Sequence, residues 1–313
     1  TVMMKFSRLL LLPLLVTCLF SACSSDDDEE SGGGASVKMH NDNANDPKVN
    51  AAYSRLEFPK VKGGNTIVLI HSTSKYGINY SVEWDCGKKA QRWSCYQMYA
   101  SNSVANTTRY YADASKGEAQ YPYDPSLSSE FYFTSDPYWN TGYDHGHICP
   151  SADRLCSREA NIQTFYLTNM QPQVNGFNAG VWSNMESQVR KWNNSNFRDT
   201  LFVCKGGTIE PTASCPDAVL RTLGSGLIVP KYYYMALLCK KYNSDKKDYD
   251  YKALGFWVEH KSNNDNQLKS YVVNIDYIEK MTGIDFFCNL PDELENKLEA
   301  VDKELVSISW GLK

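Results

Sequence analysis

The sequence predicts an α+β domain: a mixed, largely antiparallel central sheet flanked by helices. An apolar fraction of 42 %, with seven Trp, 21 Tyr and 12 Phe, is enough for a large buried core and excludes a chain disordered throughout. Short β-branched or aromatic segments recur between turn residues, and beside them stand a few long helical patterns; many strands with few helices is the α+β signature. In chain order, strands are predicted at Thr66–Ile70, Tyr80–Trp84 and Arg92–Tyr96. From Asn178 to Trp192 the period changes, with Val181, Trp182, Met185, Val189 and Trp192 recurring at three- and four-residue steps, so a helix is expected there. Strands follow at Thr200–Val203, Tyr232–Leu238, Ala253–Val258 and Tyr271–Val273. A helix is predicted at Asp276–Thr282, ended by Gly283, and another at Asp292–Leu305 after Pro291.

Residues 1–22 read as an export signal. Lys5 and Arg8 give a basic start, and the apolar run from Leu9 to Phe20 is far shorter than the ~20 residues that span a membrane. Leu19-Phe20-Ser21-Ala22-Cys23 resembles a bacterial lipobox, with Phe20 where Leu or Val is more usual. Cys23 is therefore the expected lipidation site, and its acyl chains, at ~0.8 kcal/mol per buried CH₂, would hold the protein on a membrane. Ser24–Glu30 is an acidic run resembling the export signals of surface lipoproteins, and Ser31–Gly34 continues as a flexible tether. The expected organisation is signal 1–22, acylated cysteine and tether 23–50, and one domain 51–313, lipid-anchored at the bacterial outer membrane or cell surface.

Net charge is −4, from 32 basic and 36 acidic residues, but the first 50 residues hold four basic and seven acidic groups. The remainder, with 28 basic and 29 acidic residues, has no global basic field, so any polyanion site must be local. Setting aside Cys18 and Cys23 leaves eight cysteines of ten. In an exported chain an even count points to disulfides, and local spacing favours Cys86–Cys95, Cys149–Cys156 and Cys204–Cys215, leaving Cys239–Cys288. No C-x-x-C pair supports a zinc site.

The chemistry-bearing stretch is 141–186. It holds Asp144-His145-Gly146-His147, Asn169, Asn178 and Glu186. Asn178, Trp182 and Glu186 are spaced by four, which puts Asn178 and Glu186 about 80° apart on one broad helix face. Singly, these would be a helix cap and a solvated acid. Together, Asp144–Ala152, Phe165–Gln173, Phe177–Glu186 and Thr282–Phe287 resemble, in order and spacing, the DNA/RNA non-specific endonucleases, a ββα-metal (His-Me finger) family, over roughly 62–290.

The resemblance implies a ββα-metal finger active site and the following roles. His147 is the general base, Asn178 the direct protein ligand of Mg²⁺ (with Mn²⁺ able to stand in), and Glu186 and Asn169 support metal waters or substrate. Arg109 clamps phosphate. DNA and RNA are the expected substrates, cut without sequence preference to 5′-phosphate ends; no protein partner is expected. His145 occupies the place of the family's arginine, so a permanent cation becomes a titratable one, expected to hold phosphate only when protonated. Two other readings share these residues: a non-catalytic nucleic-acid-binding lipoprotein and a secreted toxin-type nuclease.

Overall fold

The structure is a computed structural model in which residues 40–313 are described; the expected signal, Cys23 and the acidic run lie outside them. The strands are β1 (Thr66–Thr73), β2 (Gly77–Asp85), β3 (Ala90–Tyr99), β4 (Asp144–His147), β5 (Met170–Gln173), β6 (Thr200–Gly207), β7 (Val219–Thr222), β8 (Ile228–Pro230), β9 (Tyr232–Asn243), β10 (Asp248–Glu259) and β11 (Val272–Val273). The helices are α1 (Arg158–Gln163), α2 (Asn175–Phe177), α3 (Ser183–Trp192), α4 (Ile275–Thr282), α5 (Asp292–Glu299) and α6 (Lys303–Ser309). Seven strands form one sheet in the order β1-β2-β3-β6-β9-β10-β11, and every neighbouring pair is antiparallel.

Both faces of the sheet are covered, which is why β9 reads as an unbroken apolar run. Tyr233, Met235, Leu237 and Cys239 join the core beneath α3 and α6, where Trp182, Met185, Trp192 and Trp310 pack. Tyr234, Ala236 and Leu238 point the other way, into a second core with Ile275 and Ile278 of α4 and Leu298 of α5. A two-stranded ribbon, β4–β5, sits on the α3 side. It is pinned to the sheet where Gly207 N–H donates to Gln171 Oε1 (2.6 Å) and Tyr233 O–H donates to the Pro172 carbonyl (2.7 Å).

Residues 40–50, placed at the end of the expected tether, dock on this body. Asn41 Nδ2 donates to the Leu290 carbonyl (2.7 Å), and Asn45 Nδ2 donates to that of Pro59 (2.9 Å). The helix expected through Asp292–Leu305 is two, α5 and α6, with Asp302 capping the second through Glu304 N.

The expected disulfides are corrected. All eight cysteines of the described residues are free and buried. The β2–β3 register sets Cys95 opposite Ser81, five residues of strand from Cys86. At ~3.3 Å per residue that is far beyond the ~7 Å Cα reach of a disulfide. Cys86 and Cys95 also face different cores. Cys239 packs in the α3-side core, while Cys288 Sγ contacts the Phe58 carbonyl at 3.8 Å, and Phe58 belongs to the other core. Cys204 is opposite Cys95 on the neighbouring strand, whereas Cys215 lies in the loop beyond β6, beside Asp217.

Candidate active site

The ribbon and the helix after it bring His147, Asn178 and Glu186 to one cleft. Gly146 stands opposite Gln171 in the β4–β5 register. A Cβ there would lie 2.4 Å from Gln173 Cδ and 2.6 Å from the Gln171 carbonyl oxygen, so only glycine lets the two strands close. His145 and His147, two apart on β4, share a strand face, and Tyr121 spans both rings, stacked on His145 at 3.7 Å and edge-on to His147 at 6.4 Å.

The helix that supplies Asn178 is broken, not continuous as its spacing predicts. Between α2 and α3, Asn178–Trp182 forms a π-helical turn, and Gly180 leaves helical geometry (φ −99°, ψ −119°). The cause is a crossing segment: Val181 N–H donates to the Asn263 carbonyl (2.7 Å). A Cβ on Gly180 would sit 2.1 Å from that oxygen. Bulges of this kind re-aim a side chain. Here Asn178 Nδ2 donates to Asp144 Oδ2 (3.0 Å), and Asn175 Nδ2 donates to the same oxygen (2.9 Å).

A cleft of about 440 Å³ results, lined by Arg109, Asp144, His147, Ser151, Asn178 and Glu186 among others. His147 Nε2 is buried without a hydrogen-bond partner, and the ring stands edge-on to Phe165 (4.8 Å). Burial, then the Arg109 charge, lower its pKa to about 3, against the opposing pull of a hydrogen bond the ring donates to the His145 backbone. His147 is thus neutral, as a proton acceptor must be. Arg109 donates to Ser151 Oγ and lies over the Phe165 ring (4.8 Å). Glu186 Oε1 accepts from Lys205 Nζ (3.0 Å); burial raises its pKa against the attraction of that lysine.

The oxygens at this wall of the cleft are hard: the Asn178 amide, with the Asp144 and Glu186 carboxylates beside it. Among the described residues no hydrogen bond occupies Asn178 Oδ1. This donor set fits a hard, partly hydrated divalent ion such as Mg²⁺.

A model of the DNA/RNA non-specific endonuclease family matches residues 66–293, well over half of the chain. The chain belongs to this family. It is similar to the mitochondrial nuclease EXOG of Xenopus laevis (29 % identity over 220 residues, 68 % of this chain and 58 % of that protein). It is also similar to nuclease C1 of Cunninghamella echinulata (30 % over 201 residues, 63 % and 77 %). The chain spans less than two thirds of the length of the EXOG relatives, 58 % in Xenopus laevis, 65 % in Danio rerio and 56 % in Mus musculus. The crystal structure of the EndoG/EndoGI complex shares the fold, with a TM-score of 0.58 at 20 % identity over 73 % of this chain and 89 % of that one.

Within this endonuclease-family chain, two of the expected site residues have surroundings of their own. Asn169 does not reach the cleft. It is fully buried, Oδ1 accepts from Cys149 N–H (2.9 Å) and Ser94 Oγ (3.1 Å), and Nδ2 donates to the carbonyls of Cys149 (2.9 Å) and Thr164 (2.8 Å). These bonds hold the turn after β4 against β3. His145 lines the cleft, but its Nε2 is 2.9 Å from Asp136 Oδ2 and its ring is stacked between Tyr121 and Tyr138. Burial lowers its pKa against the pull of Asp136, and the Asp136 carboxylate faces its Nε2.

Sequence reasoning missed Lys205, Ser151 and the anchoring role of Asp144. Lys205 had a signal: a lysine in the apolar strand Thr200–Gly207, on the α3-side face by alternation. It is buried, paired with Glu186, and lies over the Trp182 ring at 5.0 Å.

Proposed function

We propose that this chain is a metal-dependent, sequence-non-specific endonuclease that hydrolyses phosphodiester bonds in DNA and RNA and leaves 5′-phosphate ends. The observation that carries this reading is the unpartnered Nε2 of a neutral His147 on the wall of the cleft that also holds Asn178 and Arg109. His147 takes a proton from the attacking water. Arg109, oriented by Ser151 and Phe165, binds a phosphate oxygen. Asn178, held by Asp144, offers its amide oxygen to a divalent ion, with Mg²⁺ the proposed ion and Mn²⁺ able to stand in. When bound, that ion stabilises the charge that develops on the phosphate and the leaving 3′ oxygen. Glu186, tied down by Lys205, supports water at the same cleft wall.

Non-specificity fits a cleft whose proposed contacts are to phosphate, which every sequence presents. The test is cleavage of supercoiled plasmid and of a structured RNA by the full chain, with Mg²⁺ and with EDTA. Metal-dependent nicking of both with 5′-phosphate products is expected; absence of cleavage under all metals would overturn the reading.

The proposed setting is a bacterial outer membrane or cell surface, reached through acylation at Cys23. The support is the lipobox-like Leu19–Cys23 and the acidic run after it. Cys23→Ser should move the protein to the soluble fraction, and its retention in the membrane fraction would refute the anchor.

A further inference from the structure

On the sheet face opposite the cleft, Ile275 and Ile278 of α4 and Leu298 of α5 pack into the second core, with Leu294 against it. Beside these leucines, one turn apart on α5, stand Glu295 and Glu299, only 3 % and 5 % exposed. Carboxylates are almost never so buried unless paired. Yet among the described residues no ion pair includes Asp276, Glu279, Asp285, Glu295 or Glu299. Lys60 donates its Nζ to the carbonyls of Asn43 and Ala44 (2.7 Å each). Glu299 also ends α5, where the helix dipole is negative and a further negative charge is unfavourable.

Hydrogen bonds satisfy part of this group. Asn43 Nδ2 donates to Glu295 Oε1 (2.9 Å), and Phe286 N–H donates to Glu279 Oε1 (2.7 Å). Glu299 Oε1 is buried with no hydrogen-bond partner. Its carboxylate converges with two others: one oxygen from each of Asp276, Glu279 and Glu299 lies within 4.8 Å of the other two. Oxygens at the ~2.4 Å distance usual for Ca²⁺ can be at most about 4.8 Å apart around one ion, a looser shell than Mg²⁺ accepts. Asp276 is exposed, leaving the outer side open to water ligands.

We propose that Asp276, Glu279 and Glu299 form a second, structural divalent-cation site of Ca²⁺ type that clasps α4 to α5. Burial, then the neighbouring carboxylates, push Glu299 up to about 10. Burial also pushes Glu279 up to about 8, a backbone hydrogen bond notwithstanding. The site is separate from the cleft, so it stands or falls independently of the nuclease reading.

The test uses the full chain carrying Asn178→Ala, which removes the proposed catalytic ligand, titrated with CaCl₂ by calorimetry and followed by thermal melting. One Ca²⁺ per chain and a Ca²⁺-dependent rise in Tm are expected. Adding Glu279→Gln and Glu299→Gln should weaken binding at least tenfold and abolish the rise. No heat and no Tm change in the parent at millimolar CaCl₂ would overturn the site, whether or not the glutamine variant folds. Unchanged binding by a folded glutamine variant would overturn it as well. In the otherwise native chain, Glu299→Gln should keep Mg²⁺-dependent cleavage, which separates this site's failure from that of the cleft.

Discussion

Asp144 Oδ2 accepts a hydrogen bond from Asn178 Nδ2 at 3.0 Å, tying the first strand of the ribbon to the helical turn that follows the second. The bond fixes the amide so that its nitrogen is taken and its oxygen remains. If Asn178 holds the divalent ion, Asp144 acts through it as a positioning residue. Asp144→Ala should therefore raise the Mg²⁺ concentration for half-maximal cleavage ~10–100-fold and largely retain the rate at saturating metal. A lowered rate with unchanged metal dependence would assign Asp144 another role.

Gly146 is predicted to tolerate no side chain. In Gly146→Ala the new methyl meets the Gln171 carbonyl and the Gln173 side chain, so the ribbon must open. A loss of ~1–3 kcal/mol in urea unfolding is expected from overpacking, with cleavage reduced because His147 is on the same strand. Wild-type stability would show that the strands separate freely.

The pH dependence follows from His147. Its ring has a pKa of about 3 in the folded chain and ~6.5 unfolded. Between those values the unfolded chain binds a proton that the folded chain does not, so the ring's contribution is present above pH 6.5 and is lost as pH falls toward 3. The slope from this one group is at most ~1.4 kcal/mol per pH unit. Urea titrations from pH 4 to 7 should show that part of the slope vanish in His147→Gln; an identical slope would place the ring in a solvated environment.

Much of the fold was legible because strands buried on both faces and a helix with a three-to-four period announce themselves locally. All seven predicted strands fall in or beside observed ones. The π-helical turn was not legible, since the spacing of Asn178, Trp182 and Glu186 is compatible with a plain helix. Its cause, the Asn263 carbonyl, comes from a segment far along the chain. β4 carries no local strand signal because Asp144–His147 is polar and pairs only with β5; only the ββα resemblance implied it. Family resemblance found His147, Asn178, Glu186 and Arg109, which share the cleft. It could not tell that Asn169 is saturated by hydrogen bonds or that Asp136 takes up His145, since both depend on neighbours distant in sequence or on ring stacking. The cysteine arithmetic failed because composition counts thiols, whereas sheet faces decide which can meet.

Thiol reactivity tests the pairing of the cysteines. Burial pushes the Cys149 thiol up to about 12 and Cys239 to about 11, so neither carries appreciable thiolate to react. The native protein should resist alkylation at the eight cysteines of residues 40–313, and all eight should label after denaturation without reductant. Fewer than eight labels would reveal bridges and restore the disulfide reading.

The role of His147 is decided by single-turnover cleavage of a plasmid by His147→Ala at saturating Mg²⁺, beside a melting curve. A base that takes the proton from water contributes ~10²–10⁴-fold, so the rate should fall by at least that much while the variant stays folded. Near-wild-type cleavage by folded His147→Ala would show that His147 is not the base.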